Sequence, residues 1–172
     1  MIALRDMNFK EKLKQIRAFV FDIDGVLSKS VVNIQDDGKL IRTTNIKDGF
    51  ALKRAVEEGY YIGIISGGLN EAVSRRYQSL GVKDIYLGST DKQADLRHFL
   101  DQYKLDHSQI LYMGDDLPDY DVMKTVGVAT CPADASEEIK GISMFISDKN
   151  GGEGCVRDII SQVMKTQNNW YS

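Results

Sequence analysis

The stretch VFDIDGVLSKS, Val20 to Ser30, decides the fold. An apolar run, Ala18-Phe19-Val20-Phe21, stops at Asp22, and Asp24 and Gly25 follow. Apolar residues without polar alternation read as a strand buried on both faces, as in a parallel sheet covered on each side. Side chains at i and i+2 lie on one side of an extended chain, so Asp22 and Asp24 are expected to face one small volume. Gly25 permits a sharp turn where backbone must approach a ligand.

Outward from that strand, short β-rich runs alternate with helical patterns. Residues 7–15 read as a leading helix. Runs at 31–34 and 39–44 flank Gln35-Asp36-Asp37-Gly38, and Asp-Gly between β-rich runs signals a hairpin. Asp48 reads as the cap of a helix ending near Gly59. Strands are expected at 61–65, 85–87, 110–113, 126–129 and 144–146, and helices at 69–80, 91–103, 117–125 and 154–165. This alternation predicts an α/β fold, a Rossmann-like three-layer sandwich with a central parallel sheet. One domain spanning residues 1–172 is expected, with the hairpin as an insertion at about 31–44. The stretch 167–172 is polar apart from Trp170 and Tyr171, and reads as a frayed tail or a docking segment for a neighbouring subunit.

Composition excludes several classes. The chain has 172 residues, 42% apolar and 27% charged, with a net charge of -3. No basic run offers a footprint for nucleic acid or an anionic membrane. The apolar runs are too short to span a bilayer, and residues 1–14 have no apolar core of a signal peptide. The two cysteines, Cys131 and Cys155, lack CxxC spacing and are expected as buried thiols in a reducing cytoplasm.

In open α/β sheets, ligands bind beyond the C-terminal ends of the strands. Asp22 and Asp24 follow the first strand, and Ser66-Gly67-Gly68 follows the second long one. Lys92 opens a helix, and Gly114-Asp115-Asp116 follows a later strand, with Asp119 one turn on. Converging carboxylates repel unless a cation joins them, and oxygen-only ligands suit Mg²⁺. Lys92 and Ser66 can meet a phosphate, and Gly67 and Gly68 leave backbone N–H groups open to it. A carboxylate nucleophile, a second carboxylate as acid and base, and charge neutralisation are what phosphoryl transfer through an aspartyl-phosphate requires.

These motifs resemble the haloacid dehalogenase superfamily of aspartyl-phosphate phosphatases. DIDGV (22–26), the Ser66 of IISGG, the Lys92 of STDK and GDDLPD (114–119) match its four motifs in order. The resemblance implies Asp22 as nucleophile and Asp24 as acid and base. It implies Mg²⁺ held by Asp22, the backbone carbonyl of Asp24 and Asp115, with Asp116 and Asp119 supporting. Members usually carry a cap domain, but residues 27–61 have room only for a hairpin and one helix. The hairpin, NIKDGFALK, RRYQSLGV and GGEGCVRDII look like the capless branch. That branch contains 3-deoxy-D-manno-octulosonate 8-phosphate phosphatases and sialic-acid-type phosphatases. It implies a cytoplasmic homotetramer joined through the hairpins and acting on a sugar-acid phosphate in lipopolysaccharide supply.

Members of that branch commonly read TGR and GGRG where this chain has SGG and GGEG, so arginines are replaced by Gly68 and Glu153. Thr43, Asn45, Arg76 and Glu153 are the further candidates for substrate contact, with Arg75 and Arg157 as other sources of a cation. Two readings compete with the eight-carbon sugar acid. One is a nine-carbon 9-phosphate. The other is a phospho-acceptor signalling module, which needs a long-lived phosphoaspartate and has no use for Asp24 beside Gly25.

Overall fold

The computed structural model describes residues 9–171. Residues 7 and 8 of the expected leading helix lie outside them; the helix, α1, covers residues 9–13 within them. Six strands form one parallel sheet in the order β5-β4-β1-β6-β7-β8. They are β1 (Ala18–Phe21), β4 (Tyr61–Ser66), β5 (Asp84–Leu87), β6 (Ile110–Met113), β7 (Val128–Cys131) and β8 (Phe145–Ile146). The helices are α2 (Ile46–Glu57), α3 (Glu71–Gln78), α4 (Lys92–Tyr103), α5 (Tyr120–Met123), α6 (Glu137–Ile142) and α7 (Cys155–Thr166). No helix among the described residues is long and apolar enough to cross a membrane.

β1 pairs with β4 on one side and β6 on the other, so the winding reverses beside it. Such a reversal opens a crevice at the carboxyl ends of the strands. The side chains of β1 alternate as its period dictates. Phe19 and Phe21 join the core under α2, α3 and α7, whereas Ala18 and Val20 join the core under α4, α5 and α6. Each fully buried Phe contributes roughly 1.5–3 kcal/mol of hydrophobic stabilisation. Cys131 and Cys155 are both buried and unpaired.

Several expected boundaries move. The hairpin strands β2 (Asn33–Ile34) and β3 (Leu40–Ile41) have only two residues each and, among the described residues, pair only with one another. No further strand among the described residues extends them, and an isolated ribbon is marginal. α2 is capped by Asn45, whose side chain accepts from Lys47 and Asp48 N–H at 2.9 and 3.2 Å. Asp48 therefore lies inside the helix, buried against α7. Asn70 caps α3 and shortens it to Glu71–Gln78. The segment expected as one helix from Leu117 starts as a 3₁₀ turn, Leu117–Asp119, with Pro118 in its first positions. β7 sits two residues beyond its expected start because pairing with β6, rather than local β-propensity, fixes it.

Trp170 and Tyr171 lie against α2 of the same chain, Tyr171 remaining exposed. Both rings contact Phe50 of α2, Arg157 lies over Phe50 and Trp170, and Arg54 lies over Tyr171.

Candidate active site

The ends of β1, β4, β5 and β6 open on a cleft of about 470 Å³. Asp22 continues the β1 pairing by one residue, its N–H donating to the Met113 carbonyl at 3.1 Å. The chain then turns sharply, with Ser28 N–H returning to the Ile23 carbonyl at 2.9 Å. Gly25 has φ +83°, and a Cβ there would stand 1.8 Å from Asp115 Oδ2. Only glycine lets the two acidic loops come this close. Ser66, the last residue of β4, is buried, and its Oγ accepts from Gly68 N–H at 3.2 Å.

Lys92 opens α4 where the helix dipole disfavours a cation, and the reason is its acidic surroundings. Its Nζ lies 3.2 Å from Asp22 Oδ1 and 2.7 Å from Asp119 Oδ1. Asp119, itself buried, also accepts from the Tyr112 hydroxyl at 2.7 Å. Oxygens of Asp22, Asp115 and Asp119 all lie within 4.8 Å of one another. Burial, then Asp119, pushes the Asp22 carboxyl up to about 8, with Lys92 opposing. Burial, then Asp119 and Asp116, pushes Asp115 up to about 7. Burial pulls Lys92 down, but Asp22 and Asp119 outweigh it and hold the ammonium above its ordinary value. One ammonium among three acids leaves the group short of positive charge. This all-oxygen donor set fits a hard divalent cation.

The cleft gathers Asp22, Asp24, Ser66, Gly67, Gly68, Lys92, Asp115, Asp116 and Asp119, joined by Ser30, Ser89, Thr90 and Pro118. Asp116 is exposed and caps the next turn, accepting from Leu117 N–H at 2.8 Å. The Asp24 carboxylate turns away from the other acids to Arg42, whose Nε and Nη2 donate to it at 2.5 and 2.9 Å.

Four expected contacts stand outside this lining. Thr43 is exposed, Asn45 caps α2 and donates to the Gly152 carbonyl at 3.3 Å, and Arg76 lies beside Gly49 of α2. Glu153 pairs with Lys29 at 2.8 Å. Arg75 is exposed beside Glu71, and Arg157 is taken up by the aromatic cluster. The Gly151-Gly152 segment is tied down: Gly152 N–H donates to the Val26 carbonyl at 2.8 Å, and a Cβ on Gly151 would stand 1.9 Å from the Gly25 carbonyl oxygen.

Sequence reasoning missed Arg42 and Tyr112. A tyrosine in the apolar run Ile110–Met113 was a usable signal, because a buried hydroxyl needs a partner. Arg42 carried no signal, since its partner lies 18 residues away across a hairpin.

The family model for haloacid dehalogenase-like hydrolase matches residues 81–159. The 3-deoxy-D-manno-octulosonate 8-phosphate phosphatase of Escherichia coli strain K12 is 28% identical over 156 residues, 91% of this chain and 83% of that protein. The crystal structure of that phosphatase from Yersinia pestis superposes with a TM-score of 0.91 at 26% identity, covering 94% of this chain and 88% of its own. The Moraxella catarrhalis phosphatase, solved in complex with magnesium ion, phosphate ion and KDO, gives a TM-score of 0.89 at 31% identity, covering 93% of this chain and 92% of its own. With the motif residues gathered at one sheet edge and this likeness running nearly end to end, the chain belongs to the 3-deoxy-D-manno-octulosonate 8-phosphate phosphatase family of haloacid dehalogenase-like hydrolases.

Proposed function

We propose that this chain is a Mg²⁺-dependent phosphatase, a single capless domain, that hydrolyses 3-deoxy-D-manno-octulosonate 8-phosphate to the free sugar acid and phosphate. The observation that carries the reading is the placement of Asp22 and Asp24 in one cleft with Ser66, Lys92 and Asp115. The relatives named for this activity support the choice of substrate.

In this reading an Asp22 oxygen attacks phosphorus, and the bond from phosphorus to the sugar oxygen breaks as Asp24 delivers a proton to that oxygen. Asp24 then takes a proton from water, whose oxygen attacks phosphorus and releases phosphate from Asp22. Lys92, anchored by Asp119, and Ser66 meet the phosphate oxygens on which charge concentrates. Mg²⁺ at Asp22, Asp115 and the Asp24 backbone carbonyl, with Asp116 and Asp119 in support, supplies the remaining charge neutralisation when bound. Tyr112 fixes Asp119 from below.

The same reading makes the hairpin an oligomer element of a cytoplasmic homotetramer. Val31 and Ile34 are 77% and 74% exposed, and Leu40 and Ile41 are nearly half exposed. Apolar side chains on so short a ribbon need a cover.

Phosphate release with Mg²⁺ across eight- and nine-carbon ulosonate phosphates and plain sugar phosphates tests the function. The eight-carbon acid is expected to give the highest kcat/KM. Asp22→Asn is expected to abolish turnover while circular dichroism and the melting point stay native-like. No release from any compound, or undiminished turnover by Asp22→Asn, overturns the reading. Preference for the nine-carbon acid reassigns the substrate.

A further inference from the structure

Arg42 stands at the end of an exposed hairpin, yet its side chain is only 8% exposed. The strand before it is tied down, because Asn70, the cap of α3, donates to the Leu40 carbonyl at 3.4 Å. From there the guanidinium reaches Asp24, a lining residue of the cleft, and grips its carboxylate through two parallel hydrogen bonds. Space for it exists because residue 68 is glycine. A Cβ on Gly68 would stand 3.2 Å from Arg42 Nη2, 3.5 Å from Asp24 Oδ2 and 3.7 Å from Ser66 Oγ.

This pair conflicts with the chemistry assigned to Asp24. A carboxylate held by two parallel guanidinium donors is oriented toward them and away from the ester. Delivering a proton to a leaving oxygen requires the carboxylate to be let go. A guanidinium releases one carboxylate most readily when another planar anion replaces it.

Resting on the phosphatase reading above, we propose that Arg42 is the specificity-determining residue of this site. It recognises the carboxylate of a sugar-acid phosphate by exchanging Asp24 for it. The arriving carboxylate takes the two donors, and Asp24 turns toward the phosphate ester as the acid. A phosphate ester without a carboxylate leaves the Arg42–Asp24 pair closed and is turned over slowly. Discrimination then resides in kcat as well as in KM, because the wrong substrate binds without releasing the acid. The exchange makes and breaks hydrogen bonds only and moves no electrons; the proton that Asp24 then delivers to the leaving oxygen is taken up from water once Arg42 has let it go.

The test measures kcat and KM separately for 3-deoxy-D-manno-octulosonate 8-phosphate and for glucose 6-phosphate, which has no carboxylate. The proteins are the unaltered chain, Arg42→Ala, Arg42→Lys, and the double variant Arg42→Ala with Gly68→Arg. Arg42→Ala is expected to lower the ratio of the two kcat/KM values by about a hundred-fold, through loss on the acid and a few-fold gain in kcat on glucose 6-phosphate. Arg42→Lys is expected to recover only part of the ratio, since an ammonium lacks the planar fork. The double variant is expected to recover more, because the Gly68 Cβ points at the place the guanidinium leaves. Equal loss on both substrates, or an unchanged ratio, overturns the role of Arg42 while leaving the phosphatase reading intact. Absence of release by the unaltered chain overturns that reading, and the role of Arg42 with it.

Discussion

Asp48 offers a stability experiment independent of catalysis. It is 1% exposed, sits in α2, and accepts from Arg157 N–H at the start of α7 at 2.7 Å. Among the described residues its Oδ2 meets no hydrogen-bond donor. Burial pushes the carboxyl from 3.8 up to about 6, against the pull of the Arg157 and Gly154 N–H groups and the Arg157 charge. Between those values the unfolded chain has given up a proton that the folded chain still holds, so stability falls as pH rises. A rise of roughly two units from 3.8, at about 1.36 kcal/mol per unit, makes a loss of about 3 kcal/mol that is complete above the folded value. Asp48→Asn keeps an oxygen for Arg157 N–H and removes the titration. Urea unfolding of both proteins from pH 4 to 8 isolates the effect, because the other acids cancel in the difference. The stability of Asp48→Asn relative to the unaltered chain is expected to climb by about 3 kcal/mol as pH rises from roughly 4 to 7, then level off. A constant offset comes from exchanging a charged acceptor for a neutral one. A difference that stays flat across this range, or falls with pH, refutes the account of a carboxylate buried at a cost.

Gly151→Ala is expected to destabilise by about 2–4 kcal/mol, because the new methyl would overlap the rigid Gly25 carbonyl, and to lower phosphate release by shifting the turn after Asp24. A melting curve and an activity assay on one sample check both effects, and a native-like melting point removes the packing argument. Replacing residues 31–44 by a short turn is expected to give a monomer with weak activity, read by analytical ultracentrifugation beside kcat/KM. A fully active monomer separates the hairpin from the chemistry.

Much of the site was legible because each motif is a local event at the end of a strand. The run Ala18–Phe21 marks a strand buried on both faces, and its abrupt end in Asp22 marks the sheet edge. Parallel strands share a direction, so the residues at and just past their carboxyl ends, Ser66, Lys92 and Asp115 among them, gather at that edge without coordinates. Weaker reading came where local preference and tertiary pairing compete. Asn45 and Asp48 both suit a helix start, and only the packing of α2 on α7 separates the cap from the buried acid. The two-residue hairpin strands also escaped, since β-branched residues mark a ribbon but not how far it stays paired.

By itself the sequence determined the parallel α/β sandwich, the acidic strand ends, and the serine and lysine that meet them. Those depend on periodicity and on residues within a few positions of one another. Tertiary structure alone decided that Asp119 anchors Lys92 with the help of Tyr112, that Thr43, Asn45, Arg76 and Glu153 lie outside the cleft, and that Arg42 holds Asp24. The reason is physical. A buried charge takes whatever opposite charge the fold brings within reach, and across a hairpin or between two strands that partner is set by packing, which no local spacing encodes.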